Sequence, residues 1–256
     1  MKDCAPLVAS QGMPAWPYGS QHQLRRWIVE RPNEVNHELT SRNDEMAAWA
    51  QRIEWLWPTA ASGVEQRDEA WQIIGLDGDS PAQAGWWPKG GAVWDAGARV
   101  HGPDGQVGGI LVLAKGREGE LTSGGCKATG EQSIKAIRSA LADVQNEFGV
   151  APSPEWMGPC YQPANRLAVL WYARIKRRPP VPLWLMSLYF CGERYPTVTG
   201  ELIGPASEEE WEPVIGGIHR RMGLPPHTHA LTPWWIEAFL PALEPRGGWP
   251  QLGRPR

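Results

Sequence analysis

Apolar residues recur every three or four positions in two long segments of the chain. In the segment 133–148, four aliphatic side chains between residues 134 and 144 share one face, and Gly149 follows. A second stripe of this kind, which includes Leu167 and Leu170, covers 163–176 and is followed by two prolines. This spacing predicts two amphipathic helices, each with one face packed inward.

Shorter apolar segments with other patterns predict strands. Residues 53–57 are short and aromatic and stop at Pro58, which is typical of a strand at a sheet edge. The segments 93–100 and 109–115 are separated by a Gly-Pro-Asp-Gly turn and therefore predict a hairpin. The nearly continuous apolar segment 183–190 predicts an interior strand that is covered on both faces.

Glycine positions mark the ends of two further predicted helices. The segment 65–74 is followed by Gly75, and the segment 207–222 is followed by Gly223, where a left-handed cap is expected. Shorter helices are predicted over 21–29 and 43–51. Strands and helices thus mix along the chain, which predicts an α/β fold of two or three layers, with a mixed central sheet and helices on both faces.

Composition agrees with a globular protein. The chain has 256 residues, of which 42% are hydrophobic, enough to bury a sizeable core. We expect a single domain over 21–240 with an N-terminal helical extension, between flexible tails at 1–20 and 241–256, where proline and glycine are frequent. The four cysteines form no CxxC pair, and no apolar segment approaches the length of a membrane span. These features favour a cytoplasmic protein without membrane contact.

The net charge of −3 provides no overall attraction to phosphate, so any contact with nucleic acid requires a local basic patch. Basic residues cluster at 174–178 and at 220–221, where they could bind phosphate or complement helix ends, and we favour the second interpretation. Most of the sixteen tryptophans are expected at core edges rather than on a base-stacking surface. His219, His227 and His229 lack a fourth ligand at a zinc spacing and are expected to be exposed.

The predicted hairpin collects polar groups that suit metal-assisted chemistry. Asp95 lies near the start of its first strand, while Leu113, Lys115 and Arg117 share one face of the second, because residues two apart point to the same side. An acid on one strand, an acid and a lysine two apart on the next, and a helix with a further carboxylate form an arrangement that suits metal-assisted phosphodiester hydrolysis. Carboxylates hold Mg²⁺ there, the metal activates water, and the lysine positions the nucleophile.

The chain resembles a family of PD-(D/E)XK nuclease-like proteins, which have the restriction-endonuclease-like fold. The resemblance covers roughly residues 19–230 and rests on the segments Ile53–Leu56, Glu65–Ala70, Trp87–Ala96, Ala114–Lys115 with Glu120, and Tyr161–Ala168. It implies that Asp95 and Lys115 are the catalytic residues. It also implies that Asp95 binds Mg²⁺ or Mn²⁺.

The chain departs from the family pattern at one metal ligand. Where the family has Glu-Ala-Lys, this sequence has Leu-Ala-Lys, with Leu113 in the acidic position. Leucine cannot coordinate a cation that requires oxygen ligands. Glu65, Asp68 or Glu120 could supply a replacement carboxylate.

Two hypotheses therefore remain open. In the preferred one, the protein has a degenerate metal site and uses the nuclease cleft to bind nucleic acid or a protein partner. In the alternative, a displaced carboxylate completes the site of an active Mg²⁺-dependent nuclease. DNA is favoured over RNA as the nucleic acid.

The resemblance also suggests which residues contact nucleic acid. The helix that begins near Tyr161 corresponds to a glutamine-containing helix beside the active site, so Gln162, Asn165 and Arg166 are candidate backbone contacts, together with Arg117. Asn165 could instead tie the helix to a neighbouring loop, because buried amides usually serve structure. Both interpretations of Asn165 remain open at this stage.

Overall fold

The computed structural model describes residues 18–59, 65–197, 200–225 and 229–244. The helices are α1 Ser20–Glu30, α2 Pro32–Arg42, α3 Asp44–Trp49, α4 Ala70–Ile74, α5 Glu131–Glu147, α6 Tyr161–Trp171 and α7 Glu208–Met222. The strands are β1 Arg52–Trp57, β2 Ala96–His101, β3 Val107–Lys115, β4 Leu183–Cys191, β5 Arg194–Thr197, β6 Gly200–Ile203 and β7 Trp235–Pro241. In this part of the chain no helix is both long and apolar enough to cross a membrane.

Five strands form a mixed central sheet in the order β1-β2-β3-β4-β7. The pairs β1–β2 and β2–β3 are antiparallel, whereas β3–β4 and β4–β7 are parallel. Helices α5 and α6 connect β3 to β4, and α7 lies between β4 and β7 in the chain. The predictions of an α/β fold, of an edge strand at β1 and of an interior strand at β4 are confirmed.

Helices cover both faces of the sheet. On one face, α1 and α2 contribute Leu24, Trp27 and Leu39, and α3 contributes Met46, to a core shared with alternating residues of β2, β3, β4 and β7. On the other face, α4, α5 and α6 pack against Leu111 and Leu185, and α7 packs Trp211 against the β4 side chain of Tyr189. The protein therefore has three layers. No tryptophan in the described part of the chain is exposed, as expected for core residues.

Several local predictions are corrected by long-range pairing. The helix predicted over 65–74 is limited to α4, because Gln66 is paired with Trp94 in an isolated bridge and the preceding backbone is not helical. Helix α2, with Pro32 in its first turn, was not predicted, nor were the β5–β6 hairpin and strand β7. The predicted tails lie mostly outside the described residues, but Leu243 exchanges hydrogen bonds of 2.8 and 3.1 Å with Gln23 and is thus attached to α1.

Candidate functional site

The ends of β2 and β3 bring Asp95 and Lys115 to the same face of the sheet. The backbone N–H of Asp95 donates to the Val112 carbonyl at 2.9 Å, and its Oδ2 accepts the N–H of Ala114 at 2.9 Å. The pairing of Ala96 with Val112 places Asp95 opposite Leu113. Asp95 and Lys115 are each only 7% exposed. The pair predicted from the sequence therefore lies together in a buried position.

Helix α6 closes this site from the side. The Lys115 Nζ donates to the side-chain Oε1 of Gln162 at 3.1 Å. The Arg166 guanidinium donates to the main-chain carbonyls of Gln162 at 2.9 Å and of Val93 at 2.7 Å. Asn165 accepts from Arg166 at 3.4 Å and is hydrogen-bonded to Tyr161, so its contacts lie within α6. These contacts do not tie α6 to a neighbouring loop, and Asn165 also lines the cleft described below, so its role as a nucleic-acid contact stays a prediction.

Burial controls the protonation of the three charged groups. It lowers the pKa of Lys115 to about 8, an effect to which the charge of Arg166 adds and which Asp95 opposes. Burial likewise lowers the pKa of Arg166 to about 10 and raises that of the Asp95 carboxyl. The two cations and the hydrogen bond from Ala114 partly counter the change at Asp95. Desolvation thus outweighs the mutual attraction of the three charges in this buried cluster.

Leu113 fills the position where the resemblance requires an acid. Its side chain is 6% exposed and, with Lys115, Gln162, Ser187 and Tyr189, lines an enclosed cavity of about 30 Å³. Mg²⁺ requires near-octahedral oxygen coordination, and Leu113 offers only carbon atoms beside Asp95. No group of three or more His, Cys, Asp or Glu residues is placed to hold a metal within the described ranges. The residues around Asp95 therefore do not fit Mg²⁺ or Mn²⁺.

The three candidate replacement carboxylates have different surroundings. The Asp68 carboxylate accepts hydrogen bonds from the backbone N–H groups of residues 90–91 at 2.7 and 3.1 Å and so stabilises that loop. Glu120 accepts from the Gly116 amide at 3.1 Å and from the Tyr195 hydroxyl at 3.0 Å. Glu65 is exposed and accepts from Gln21, but its charge raises the pKa of Asp95. Of the three, Glu65 alone acts electrostatically on Asp95.

Arg117 is separated from the α6 residues with which it was grouped. Its guanidinium lies over the Tyr195 ring at 4.6 Å and its Nε is 3.3 Å from Glu120. The structure therefore brings Lys115 and Arg166 near Asp95, with Gln162 and Asn165 bonded to those two cations, and places Arg117 in a different network.

A polar cleft of about 760 Å³ opens beside the first turn of α6. Its walls are the loop around residues 87–93, the loop 122–130 and residues 161–166. Four cations line it, and no carboxylate does so among the described residues; the cations are Arg67, Lys89, Lys127 and Arg166. Neither α5 nor α6, which both begin at this cleft, has a side-chain cap hydrogen bond at its N-terminus. We call this feature the basic cleft.

Sequence reasoning missed three of these four cations. Arg67, Lys89 and Lys127 are isolated along the chain and exposed in the structure, so no charge cluster marked them. In the cluster at 174–178, Arg174 donates to the Val181 carbonyl at 2.9 Å and stacks on Trp234, and Arg178 donates to the Ile175 carbonyl near the end of the helical segment. These contacts agree with a structural role for the two arginines.

Taken together, the fold and the site define a mixed α/β protein with a buried Asp–Lys–Arg cluster at the edge of a basic cleft. Comparison of the chain with protein-family models, with curated proteins and with solved structures finds no match. The PD-(D/E)XK resemblance therefore remains a prediction, and function has to be argued from the site.

Proposed function

We propose that this protein binds the phosphate backbone of nucleic acid in the basic cleft, and that it does so on a PD-(D/E)XK-type scaffold whose metal-dependent cleavage has been lost at Leu113. The observation that carries the proposal is the charge of the cleft. Four cations and no carboxylate line it in the described part of the chain, although the whole chain carries a net charge of −3. Such a local concentration of positive charge attracts phosphate.

The arrangement of the core supports this choice of scaffold. Asp95 precedes β2, Lys115 ends the neighbouring strand, and Gln162 of α6 contacts Lys115 directly. This is the arrangement that the resemblance implies for an acid, a lysine and a glutamine-containing helix. With Leu113 beside Asp95, the site lacks the second carboxylate of a metal centre, and the attraction between Asp95 and Lys115 offsets only part of the cost of burying their charges.

The cleft is suited to the backbone rather than to unstacked bases. Three of the cations are exposed and can reach phosphate oxygens, namely Arg67, Lys89 and Lys127. Arg166 is only 4% exposed and adds its positive charge to the cleft wall without direct access to solvent. Exposed base-stacking platforms depend on aromatic rings, and the aromatic residues of the cleft are the buried Trp87 and the half-buried Tyr161. Contacts limited to phosphate position a duplex without reading its sequence. We therefore expect duplex DNA to bind with little sequence preference.

Salt dependence tests the proposal quantitatively. If the three exposed cations each neutralise one phosphate, the slope of log K against log[salt] should be about −2.7. Affinity should then fall about 40-fold between 50 and 200 mM KCl. The measurement is fluorescence anisotropy with labelled duplex DNA, single-stranded DNA and duplex RNA, in EDTA so that no metal contributes.

A matched pair of variants locates the contact. Lys127→Gln should bring the slope to about −1.8, because one phosphate contact is lost. Arg52→Gln removes the same charge from an exposed position on β1 and should leave the slope unchanged. Absence of binding at 50 mM KCl would overturn the proposal and direct the search to a protein partner. Equal effects of the two variants would show that binding does not use the basic cleft.

A second candidate function rests on Glu65. Its charge acts on both Asp95 and Arg166, which makes it the candidate for the missing carboxylate of an active Mg²⁺-dependent nuclease. This function requires Glu65, which is exposed and accepts a hydrogen bond from Gln21, to turn toward Asp95. This function predicts Mg²⁺- or Mn²⁺-dependent cleavage of the same oligonucleotides, abolished by Asp95→Asn and by Glu65→Gln. Cleavage with these properties would replace the binding-only proposal. Cleavage that survives both substitutions would point to a contaminating enzyme.

A further inference from the structure

A second cavity, of about 550 Å³, lies between α7 and β7 and plays no part in the proposed function. It is lined by five apolar or aromatic side chains, among them Phe148, Leu224 and Trp235, and by five polar or charged ones, which are His219, Arg220, His229, Thr232 and Glu237. A cavity in this range of volume that combines apolar walls with polar groups is typical of small-molecule sites. We call it the α7 cavity.

The distinctive polar group of the α7 cavity is the carboxylate of Glu237. It lies on β7 beside Ser187 of β4, on the face of the sheet that α7 covers. Its Oε1 is enclosed and accepts no hydrogen bond from the described residues, and the His219 Nε2 lies 3.5 Å away. Burial, with the charge of Glu208 adding to it, raises the pKa of the Glu237 carboxyl to about 7. His219 lies within ion-pair distance of this oxygen but makes no hydrogen bond to it, so part of the desolvation cost remains and a ligand N–H would reduce it.

Aromatic rings form the other walls of the α7 cavity. The rings of Phe148 and His229 are stacked with centroids 3.8 Å apart. The His229 ring is fixed further, because its Nδ1 accepts the backbone N–H of Leu231 at 3.1 Å. The ring of His219 meets that of Trp235 edge-on at 4.9 Å. His219 and His229 are thus half-buried, contrary to the expectation of exposed histidines, while His227 lies outside the described residues.

We propose that the α7 cavity binds a planar heteroaromatic ring that carries adjacent N–H donors, of the kind found on the Watson–Crick edge of guanine. The aromatic walls pack against the ring, and Glu237 accepts its N–H groups in a bidentate pair. Two sources share this chemistry, a free nucleoside and an unstacked base of a nucleic acid, whose recognition would use the same contacts. The proposal does not depend on the basic cleft.

The first test compares guanosine with inosine, which lacks the 2-amino group, by isothermal titration calorimetry. Guanosine should bind about fivefold or more tightly than inosine, because one of the two hydrogen bonds to Glu237 is lost in inosine. Glu237→Gln should weaken guanosine binding by a similar or larger factor. Glu212→Gln, an exposed position on α7, should leave it unchanged. Equal affinity of Glu237→Gln and the unaltered chain would overturn the proposal.

Two further measurements keep the test decisive. Guanosine should shift the ring proton NMR signals of His219 and His229 in the unaltered chain, which does not depend on the folding of a variant. A short single-stranded oligonucleotide with one guanine, compared with the same strand abasic at that position, distinguishes the two sources. If the oligonucleotide alone binds and Glu237→Gln abolishes its guanine preference, the source is a polymer. If neither guanosine nor the oligonucleotide depends on Glu237, the proposal fails, whatever the basic cleft binds.

Discussion

Introducing an acid at Leu113 is the most direct test of how the Asp95–Lys115 site differs from a metal centre. Burial of a leucine side chain contributes about 1.5–3 kcal/mol, and an added buried carboxylate incurs a further desolvation cost. Lys115 and Arg166 lie near enough to offset part of that cost. In the absence of metal we therefore expect Leu113→Glu to lower the free energy of unfolding by about 2–4 kcal/mol.

Metal should reverse part of this loss in the variant alone. In Leu113→Glu, Asp95 and the new carboxylate together supply oxygen ligands for Mg²⁺ or Mn²⁺, which Leu113 cannot do. At ten times its Kd, a metal that binds only the folded state contributes about 1.4 kcal/mol. For a chain of this size, that should raise Tm by about 3–5 °C.

The assay is thermal unfolding with EDTA and with increasing Mg²⁺ or Mn²⁺, followed by a test of metal-dependent DNA cleavage. Leu113→Gln is the matched control, because it removes the same apolar surface without adding a charge. It should be destabilised but should not respond to metal, and Asp95→Asn should abolish the response of Leu113→Glu. A metal response that is equal in the unaltered chain, Leu113→Gln and Leu113→Glu would refute the reasoning, as would no response in Leu113→Glu.

Two other predictions concern stability. Glu193 is fully buried, and burial raises its carboxyl pKa to about 7, so the folded state holds a proton that the unfolded chain releases above about pH 4.5. Stability from this group is therefore lost as pH rises from about 4.5 to 7. In urea unfolding, the free energy of unfolding of Glu193→Gln relative to the unaltered chain should rise by about 2–3 kcal/mol from pH 5 to pH 8. The same difference at both pH values would contradict this. A methyl group at Gly97 would overlap the buried ring of Trp57, so Gly97→Ala should lower the free energy of unfolding by about 1–3 kcal/mol. Gly119 faces open space, so Gly119→Ala should lower it far less. Equal losses in the two variants would argue against this packing.

Much of the architecture could be predicted because it is encoded in local spacing. The three-and-four periodicity of α5 and α6, the continuous apolar segment of β4 and the turn between β2 and β3 all depend on residues close together in the chain. Left-handed glycine caps occur at Gly75 and Gly223, where they were expected, because few other residues adopt that conformation without strain. Local patterns of this kind also predicted that Asp95 and Lys115 lie on adjacent strands.

Local spacing was less informative where distant segments compete for the backbone. The segment 65–69 has helical spacing, yet Gln66 pairs with Trp94 and Asp68 binds the amides of residues 90–91. Strand β7 was hidden by the prolines around it, and its place in the sheet depends on pairing with β4. Helix and strand propensities are weak relative to such tertiary contacts.

From the sequence alone, the layered α/β fold and the Asp95–Lys115 pair on adjacent strands were determined. Only the tertiary structure decided where the charges lie. It gathered Arg67, Lys89 and Lys127 around the basic cleft, and it enclosed Glu237 in the α7 cavity. The physical reason is range: periodicity and capping act within a few residues, whereas the surroundings of a charged side chain are set by segments that folding brings together from distant parts of the chain.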